Sequence, residues 1–133
     1  MKTDLSGASA PLRVSPLVAD GLLIRQDEYY KKYFYAEIVW IEASGNYCYF
    51  HFKDNSRITV ACRLGSVEWQ LPDAYRVHRG FILNLRYVDT WAGNSLRVGE
   101  KWFPVGDCYR KSVLACFNIL DTSRENPKTG NGE

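Results

Sequence analysis

Residues 75–84 read Tyr-Arg-Val-His-Arg-Gly-Phe-Ile-Leu-Asn, and this stretch decides the fold. Its apolar residues alternate with cationic and hydrogen-bonding ones, which is the pattern of a half-buried strand because successive side chains point to opposite faces. Gly80 predicts a bend or bulge within this strand, at a place where a side chain would obstruct the backbone. The polar residues of the stretch could form a basic, donor-rich edge, or they could be ordinary solvated strand residues.

The composition of the 133-residue chain predicts a single folded domain. It is 46% hydrophobic and 14% aromatic, which excludes the class of intrinsically disordered proteins. The formal net charge of +2 permits nucleic-acid binding but does not require it. Neither a signal peptide nor an apolar run long enough to span a membrane occurs, so the sequence predicts a cytoplasmic protein without membrane insertion.

Low-complexity composition marks both ends of the chain. Residues 1–19 are rich in Ser, Ala and Pro, which predicts a flexible leader or linker. Residues 122–133 carry Gly, Asn, Pro and charges and predict a disordered tail. The folded unit is therefore expected over residues 20–121.

Turn signals within this unit recur roughly every eight to twelve residues, as in all-β folds built from hairpins. We therefore predict a mainly β fold of antiparallel sheets with one short internal helix and a C-terminal helix. The internal helix is expected from Leu64 to Leu71, where Pro72 prevents its continuation. The C-terminal helix is expected over residues 108–120, with Asp107 capping its N-terminus. Strands are predicted at residues 21–25, 29–35, 37–43, 47–52, 58–62, 75–84, 87–91, 96–98 and 101–105.

Catalytic and metal sites are not indicated. The four cysteines form no Cys-x-x-Cys pair and the two histidines offer no matching spacing, so we expect reduced thiols and no metal site. Cys108 and His78 could in principle form a thiol–imidazole pair, although a packing or surface role for Cys108 is favoured. Because no nucleophile elbow or phosphate loop occurs either, the sequence predicts a protein without enzymatic activity or cofactor.

Polar features suited to binding concentrate at three points of the chain. These are the turn Ser44–Tyr47, the segment Arg76–Arg79, and Arg110-Lys111 near the start of the last helix. Arginine can contact phosphate or the edge of guanine, and asparagine can do the same for adenine. Amides at a helix N-terminus also attract phosphate. Each point also has an ordinary structural interpretation as a turn, a solvated helix face or a histidine bonded to a carbonyl, and spacing alone does not decide.

The order of these points resembles the LytTR family of bacterial DNA-binding domains. Residues 38–47 (IVWIEASGNY) are similar to the family's opening motif, and residues 63–72 (RLGSVEWQLP) are similar to its helix. Residues 75–84 resemble its most specific signature, Val88 continues that signature, and residues 103–105 (FPV) resemble the closing motif. The four segments occur in the right order across most of the predicted folded unit.

The resemblance implies an antiparallel β fold that acts as the output domain of a transcriptional regulator. Such domains read double-stranded DNA with loops placed in successive major grooves, often bend the duplex, and bind direct repeats as pairs. Arg79 would be best placed to reach a base edge, Lys111 would lie near phosphate, and Asn84 would stabilise the strand bend. Carried over by position, the DNA-contacting residues would be Ser44, Gly45, Asn46, Tyr47, Arg76, His78, Arg79, Asp107, Cys108, Arg110 and Lys111.

The third of these segments departs from the family pattern. The chain has Gly106-Asp107 where the family usually has Ser-Arg. A carboxylate there repels phosphate, although it could accept a hydrogen bond from a cytosine amino group or serve only as a helix cap. Arg110 would then supply the missing positive charge one turn later.

The partner expected from the resemblance is a phosphorylatable receiver domain, and only residues 1–19 precede the predicted domain. Either the chain is a stand-alone regulator controlled by abundance, by self-association or by a separate protein, or residues 1–19 are a severed linker. The alternative function is a β-rich protein-interaction module without DNA binding, which Asp107 and the modest net charge would suit.

Overall fold

A computed structural model describes residues 20–122, which fold into ten strands, two α-helices and two 3₁₀ turns. The strands are β1 (Gly21–Gln26), β2 (Tyr29–Phe34), β3 (Ile38–Ser44), β4 (Tyr47–Phe52), β5 (Arg57–Val60), β6 (Ala74–His78), β7 (Phe81–Asn84), β8 (Thr90–Ala92), β9 (Ser95–Val98) and β10 (Lys101–Pro104). The helices are α1 (Leu64–Val67) and α2 (Asp107–Leu114), and the 3₁₀ turns are Tyr35–Glu37 and Leu85–Tyr87. The predicted mainly antiparallel β fold is confirmed.

A five-stranded sheet in the order β5-β4-β3-β7-β6 forms the centre of the molecule, and all its pairings are antiparallel. The strand β3 pairs with β4 on one side and β7 on the other, so Ile41 lies between Phe50 and Ile82 and is fully buried. A three-stranded sheet, β10-β9-β8, and the hairpin β1-β2 complete the β structure of the described residues.

Two hydrophobic cores cover the two faces of this sheet. The first core contains Ile41, Phe50 and Ile82 and is closed by the β1-β2 hairpin and α1. The second core contains Leu83 and Phe103 and is closed by the three-stranded sheet and α2. Ile82 and Leu83 are adjacent in β7, both fully buried, and belong to different cores because neighbouring strand residues face opposite ways. Truncating a ring such as Phe50 or Phe103 to alanine would cost about 3–5 kcal/mol.

The stretch 75–84 is a hairpin, so the prediction of one bent strand is wrong. The chain reverses at Arg79-Gly80 between β6 and β7. Gly80 has no positive φ, and a Cβ there would meet the Nδ1 of His78 at 3.5 Å, an ordinary contact. The irregularity lies instead between Arg76 and His78, where the pairing register with β7 shifts. A two-residue turn alone would shift the alternation, but the register shift restores it, so Val77 and Leu83 lie in the same core and the pattern concealed the reversal.

Both helices are shorter than predicted. The helix α1 ends at Val67 rather than Leu71, because Pro72 disfavours the helical conformation at Leu71, and Gln70 instead closes a turn onto the Val67 carbonyl. The helix α2 ends at Leu114 rather than at residue 120. Phe117 still packs against the second core beyond the end of the helix, whereas Ile119 and Leu120 are 56% and 81% exposed and have no core to pack against.

Asp107 does not cap α2. Gly106 occupies the N-cap position and Asp107 is the first helical residue. Its carboxylate still lies in the first turn, where it interacts favourably with the free amides. The strand predicted over residues 87–91 also begins later, at Thr90, because Leu85–Tyr87 forms a 3₁₀ turn.

Three predicted turns are confirmed by their backbone. Gly45, Gly93 and Gly99 have φ values of 61°, 59° and 60°, a conformation that favours glycine. The predicted leader of residues 1–19 and the predicted tail beyond Thr122 lie outside the described residues. No helix among residues 20–122 has the length and apolar character needed to cross a membrane.

A buried asparagine joins the end of β7 to the start of β3. The Nδ2 of Asn84 donates to the Ile38 carbonyl at 2.9 Å, and its Oδ1 accepts from the Arg86 amide at 3.1 Å. The residue is only 5% exposed. If the side-chain amide were removed, the Ile38 carbonyl would lose a partner in a buried site and the Arg86 amide would lose one in a partly buried site.

We therefore expect Asn84→Ala to lower the free energy of unfolding by about 1–3 kcal/mol. Urea denaturation followed by tryptophan fluorescence measures the change. Asn118→Ala is the matched control, because Asn118 is exposed, and it should shift stability by less than about 0.5 kcal/mol. Equal denaturation midpoints for the two variants would show that Asn84 does not fasten these strands.

Candidate nucleic-acid interface

The three segments predicted to bind a partner lie side by side at one end of the five-stranded sheet. The Ala43 amide donates to the Gly80 carbonyl at 3.0 Å, which places the β3-β4 turn beside the β6-β7 turn. The Gly106 amide donates to the Val77 carbonyl at 2.8 Å, which places the start of α2 beside the β6-β7 turn. We call the row formed by residues 44–47, 78–80 and 106–111 the loop edge.

The β3-β4 turn forms the first part of the loop edge. Ser44 and Tyr47 are paired, and Gly45 and Asn46 project between them, both exposed. Apart from Gly45 and its two chain neighbours, no residue lies within 4 Å of the position where a Cβ of Gly45 would be, so a ligand can approach this backbone closely. Tyr47 is 51% exposed. The amide of Asn46 has the donor and acceptor that match the edge of adenine.

The β6-β7 turn forms the middle of the loop edge. Arg79 is exposed, and its guanidinium has no bonding partner among residues 20–122. The Nδ1 of His78 accepts a hydrogen bond from the Gly80 amide at 3.1 Å. Neutral His78 therefore carries its proton on Nε2, which remains available as a donor. This turn offers one free guanidinium and one free ring N–H.

Arg76 lies behind this turn rather than at its tip. Its guanidinium donates to Glu68, to the His78 carbonyl and to the Arg79 carbonyl, and its side chain is 22% exposed. Three of its five N–H groups are thus used within the protein. Its predicted contact with a nucleic acid stays a prediction, and the structure gives it a second role in holding the turn.

The start of α2 forms the third part of the loop edge. Asp107 and Cys108 are exposed in its first turn, and Lys111 is exposed in the next turn. The carboxylate of Asp107 sits where the resemblance leads one to expect a cation. Lys111 makes no ion pair with a residue of the described range, so its ammonium group can meet an anion.

Arg110 joins α2 to a neighbouring turn that sequence reasoning had treated only as a connection. Its Nη1 donates to the Asn94 side chain at 2.6 Å and to the Gly93 carbonyl at 3.3 Å, and its guanidinium lies 5.4 Å from the centre of the Trp91 ring. The β8-β9 turn therefore flanks the loop edge. The Gly93-Asn94 pair repeats the Gly45-Asn46 pair of the first turn, and this repetition was the signal that could have identified it.

A histidine of β4 is stacked on a tryptophan of β3, towards the end of the sheet opposite the loop edge. The ring centres of Trp40 and His51 are 3.6 Å apart, and the Nε2 of His51 lies 2.9 Å from a carboxylate oxygen of Glu42. Burial lowers the pKa of His51, and this effect outweighs the opposing effect of Glu42. Trp40 also packs edge-on against Phe103, which connects the central sheet to the second core.

The cysteines are free thiols in different surroundings. Burial raises the pKa of Cys48 to about 12, and its Sγ donates to the Cys62 carbonyl at 3.2 Å. Cys108 and Cys116 are exposed. No hydrogen bond joins Cys108 to His78, whose Nδ1 is occupied by the Gly80 amide. Within residues 20–122, no group of three or more His, Cys, Asp or Glu side chains could hold a metal ion.

The chain is similar to known DNA-binding domains in sequence and in fold. A family model described as the LytTr DNA-binding domain matches residues 30–114. Among solved structures, a LytTr DNA-binding domain from Bacillus cereus has a similar fold, with a TM-score of 0.61 and 17% sequence identity. That similarity covers 75% of this chain and 98% of the other, and at such low identity it concerns the fold alone. No curated protein matches the chain.

The lowered pKa of His51 predicts a pH dependence of stability. The unfolded chain binds the His51 proton near pH 6.5, whereas the folded chain resists protonation until the pH is lower. The contribution of His51 is therefore fully present above pH 6.5 and is lost as the pH falls through that value towards the folded-state pKa. Between pH 7.5 and pH 5.5, the urea midpoint should decrease more for the wild type than for His51→Gln. Equal falls would contradict the prediction.

Proposed function

The chain belongs to the LytTR family of DNA-binding domains, and from this we propose that it regulates transcription by binding specific double-stranded DNA sequences with its loop edge. The convergence of the three segments supports the proposal most strongly. They are separated in the sequence, yet two backbone hydrogen bonds bring them into one row. A row of turns presenting free amide, guanidinium and ammonium groups is chemically suited to a duplex, which offers base edges flanked by phosphates.

We assign separate tasks to the side chains that the fold leaves free. Arg79 contacts a base edge, with guanine as the preferred partner, and Asn46 contacts adenine. His78 donates from Nε2, and Lys111 neutralises a phosphate. The remaining contacts are proposed for exposed or flanking groups of the same edge, which are Ser44, Gly45, Tyr47, Arg76, Asp107, Cys108 and Arg110.

The dimensions of the edge support a bent duplex. Neighbouring strands lie about 4.8 Å apart, and β3, β7, β6 and the Gly106 segment follow one another across the edge. With the radius of the helix added, the first turn and the axis of α2 are separated by roughly 20 Å. Successive major grooves of straight DNA are about 34 Å apart along one face. We propose that the first turn and α2 enter successive major grooves of a duplex that bends towards the protein, with the Arg79 turn between them.

The proposal includes the arrangement of sites. Two copies of the domain bind direct repeats, and contacts between neighbouring copies assist them. Regulation comes either from such self-association or from a separate regulatory protein, and the domain acts in the cytoplasm, where the bacterial chromosome lies.

A role in protein binding is the second candidate, and a different surface favours it. Leu23 and Tyr30 are 61% and 62% exposed, and the pairing of β1 with β2 places both on the outer face of that hairpin. Selection from a random duplex library distinguishes the candidates. Enrichment of a repeated short motif supports DNA binding, whereas no enrichment by a folded protein supports the protein-interaction module.

Arg79→Ala should weaken binding to the selected duplex by about 1–3 kcal/mol and relax the preference at one base position. The physical reason is the loss of a bidentate hydrogen bond with one base. Fluorescence anisotropy with the selected duplex, and with duplexes altered at single positions, measures both effects. Unchanged affinity together with unchanged base preference would remove Arg79 from the interface.

Lys111→Ala should weaken binding to all duplexes alike and reduce the slope of log affinity against log salt by about 0.9, the value for one phosphate contact. Lys53→Ala is the matched control, because Lys53 is an exposed lysine of the β4-β5 turn at the opposite end of the sheet. A loss confined to the selected sequence would contradict a phosphate contact by Lys111.

A further inference from the structure

The guanidinium of Arg76 donates two hydrogen bonds to the backbone of the β6-β7 turn. Its Nε donates to the His78 carbonyl at 3.1 Å, and its Nη2 donates to the Arg79 carbonyl at 2.8 Å. A guanidinium is planar and its donors point in fixed directions, so two such bonds fix the relative orientation of the two carbonyls.

These two carbonyls belong to the peptide units on either side of the Arg79 Cα atom. Orienting the first unit sets φ of Arg79, and orienting the second sets ψ. The second unit is held at its other end as well, because its N–H group, that of Gly80, donates to His78 at 3.1 Å. The direction in which the Arg79 side chain leaves the backbone therefore depends on Arg76.

Glu68 holds Arg76 in this position. Its carboxylate accepts from the Nη1 of Arg76 at 2.6 Å, and the two side chains are only 25% and 22% exposed. The Tyr109 ring of α2 lies 6.0 Å from the Arg76 guanidinium. Glu68 follows α1 and lies outside the loop edge. It supplies the charge that keeps a half-buried guanidinium from turning outwards.

We propose that Glu68 is a positioning residue which, through Arg76, sets the direction of Arg79 and thereby the sequence specificity of the domain without contacting DNA. The inference rests on the proposed function. Hydrogen bonds run from Glu68 to Arg76 and from Arg76 to the carbonyls of His78 and Arg79. They connect the end of α1 to the tip of the β6-β7 turn. Neither Glu68 nor Arg76 needs to reach a base for the series to act.

The sign of the effect separates positioning from simple electrostatics. A carboxylate near DNA repels phosphate, so removing its charge would strengthen binding to every duplex if repulsion were its only effect. Positioning predicts the opposite for the selected duplex, because a misdirected Arg79 loses its base contact. The ratio of affinities for selected and scrambled duplexes is therefore the decisive quantity.

The first test compares Glu68→Gln with the control Glu28→Gln, which neutralises an exposed carboxylate of the β1-β2 turn. A base contact discriminates by a factor of roughly 5–150. We expect Glu68→Gln to lower the affinity ratio by about fivefold or more with an unchanged salt slope, and Glu28→Gln to leave the ratio as in the wild type. Urea denaturation confirms that both variants are folded.

The second test examines whether the effect passes through Arg79. In an Arg79→Ala background, Glu68→Gln should change the affinity ratio no further, because the group it positions is absent. Arg76→Lys keeps the charge but cannot bridge two carbonyls, so it should lower the affinity ratio. This variant also serves if Glu68→Gln does not fold.

Three results overturn the inference. They are an unchanged or raised ratio in Glu68→Gln, an equal loss with and without Arg79, or an unchanged ratio in Arg76→Lys. Failure of the proposed function looks different, because the wild type itself would then prefer no duplex. A wild type that discriminates, together with a Glu68→Gln variant that discriminates equally, refutes only the positioning role.

Discussion

The pairing of β3 on both of its edges is the constraint on which the rest of the structure depends. Each edge of β3 bonds a neighbour, and Ile41 is enclosed between Phe50 and Ile82. Because β7 is antiparallel to both β3 and β6, the strands β3 and β6 run in the same direction. The turns that follow β3 and β6 must therefore emerge at the same end of the sheet. The first two parts of the loop edge are a consequence of strand direction, and the bond from the Gly106 amide to the Val77 carbonyl adds the start of α2.

The use of charge at this edge explains how a chain with a net charge of only +2 can serve as a DNA-binding domain. Arg76 and Arg110 are bonded to acceptors within the protein, where they shape the turns. Arg79 and Lys111 remain free for a partner. A few well-oriented groups discriminate between sequences, whereas a broad positive field would attract all duplexes alike. In the proposed function, this arrangement favours sequence-selective over non-specific binding.

Local patterns in the sequence predicted the elements whose causes are local. Glycines that need a positive φ identified the turns at Gly45 and Gly93, an apolar run on both faces identified β3, and alternation identified β4. The Arg79-Gly80 reversal escaped because neither residue has a positive φ and the alternation continues through it. The family resemblance, rather than spacing, selected the residues of the loop edge.

Features that depend on distant partners could not be predicted in this way. The bonds of Arg76 to Glu68 and of Arg110 to Asn94 join residues 8 and 16 positions apart. The composition of these segments does not indicate which residues form these hydrogen bonds. The end of α2 likewise depends on the extent of the second core, which only the assembled sheets define.

The bond between Gly106 and Val77 has a further consequence for how copies of the domain can meet. It occupies the outer side of β6, against which α2 also packs, so that side of the five-stranded sheet is closed to an additional strand. The opposite border is β5, which has only four residues and begins with Arg57. Short, charged border strands resist intermolecular strand addition. Joining of two copies strand to strand is thus disfavoured at both borders, and the sheet does not grow into a polymer.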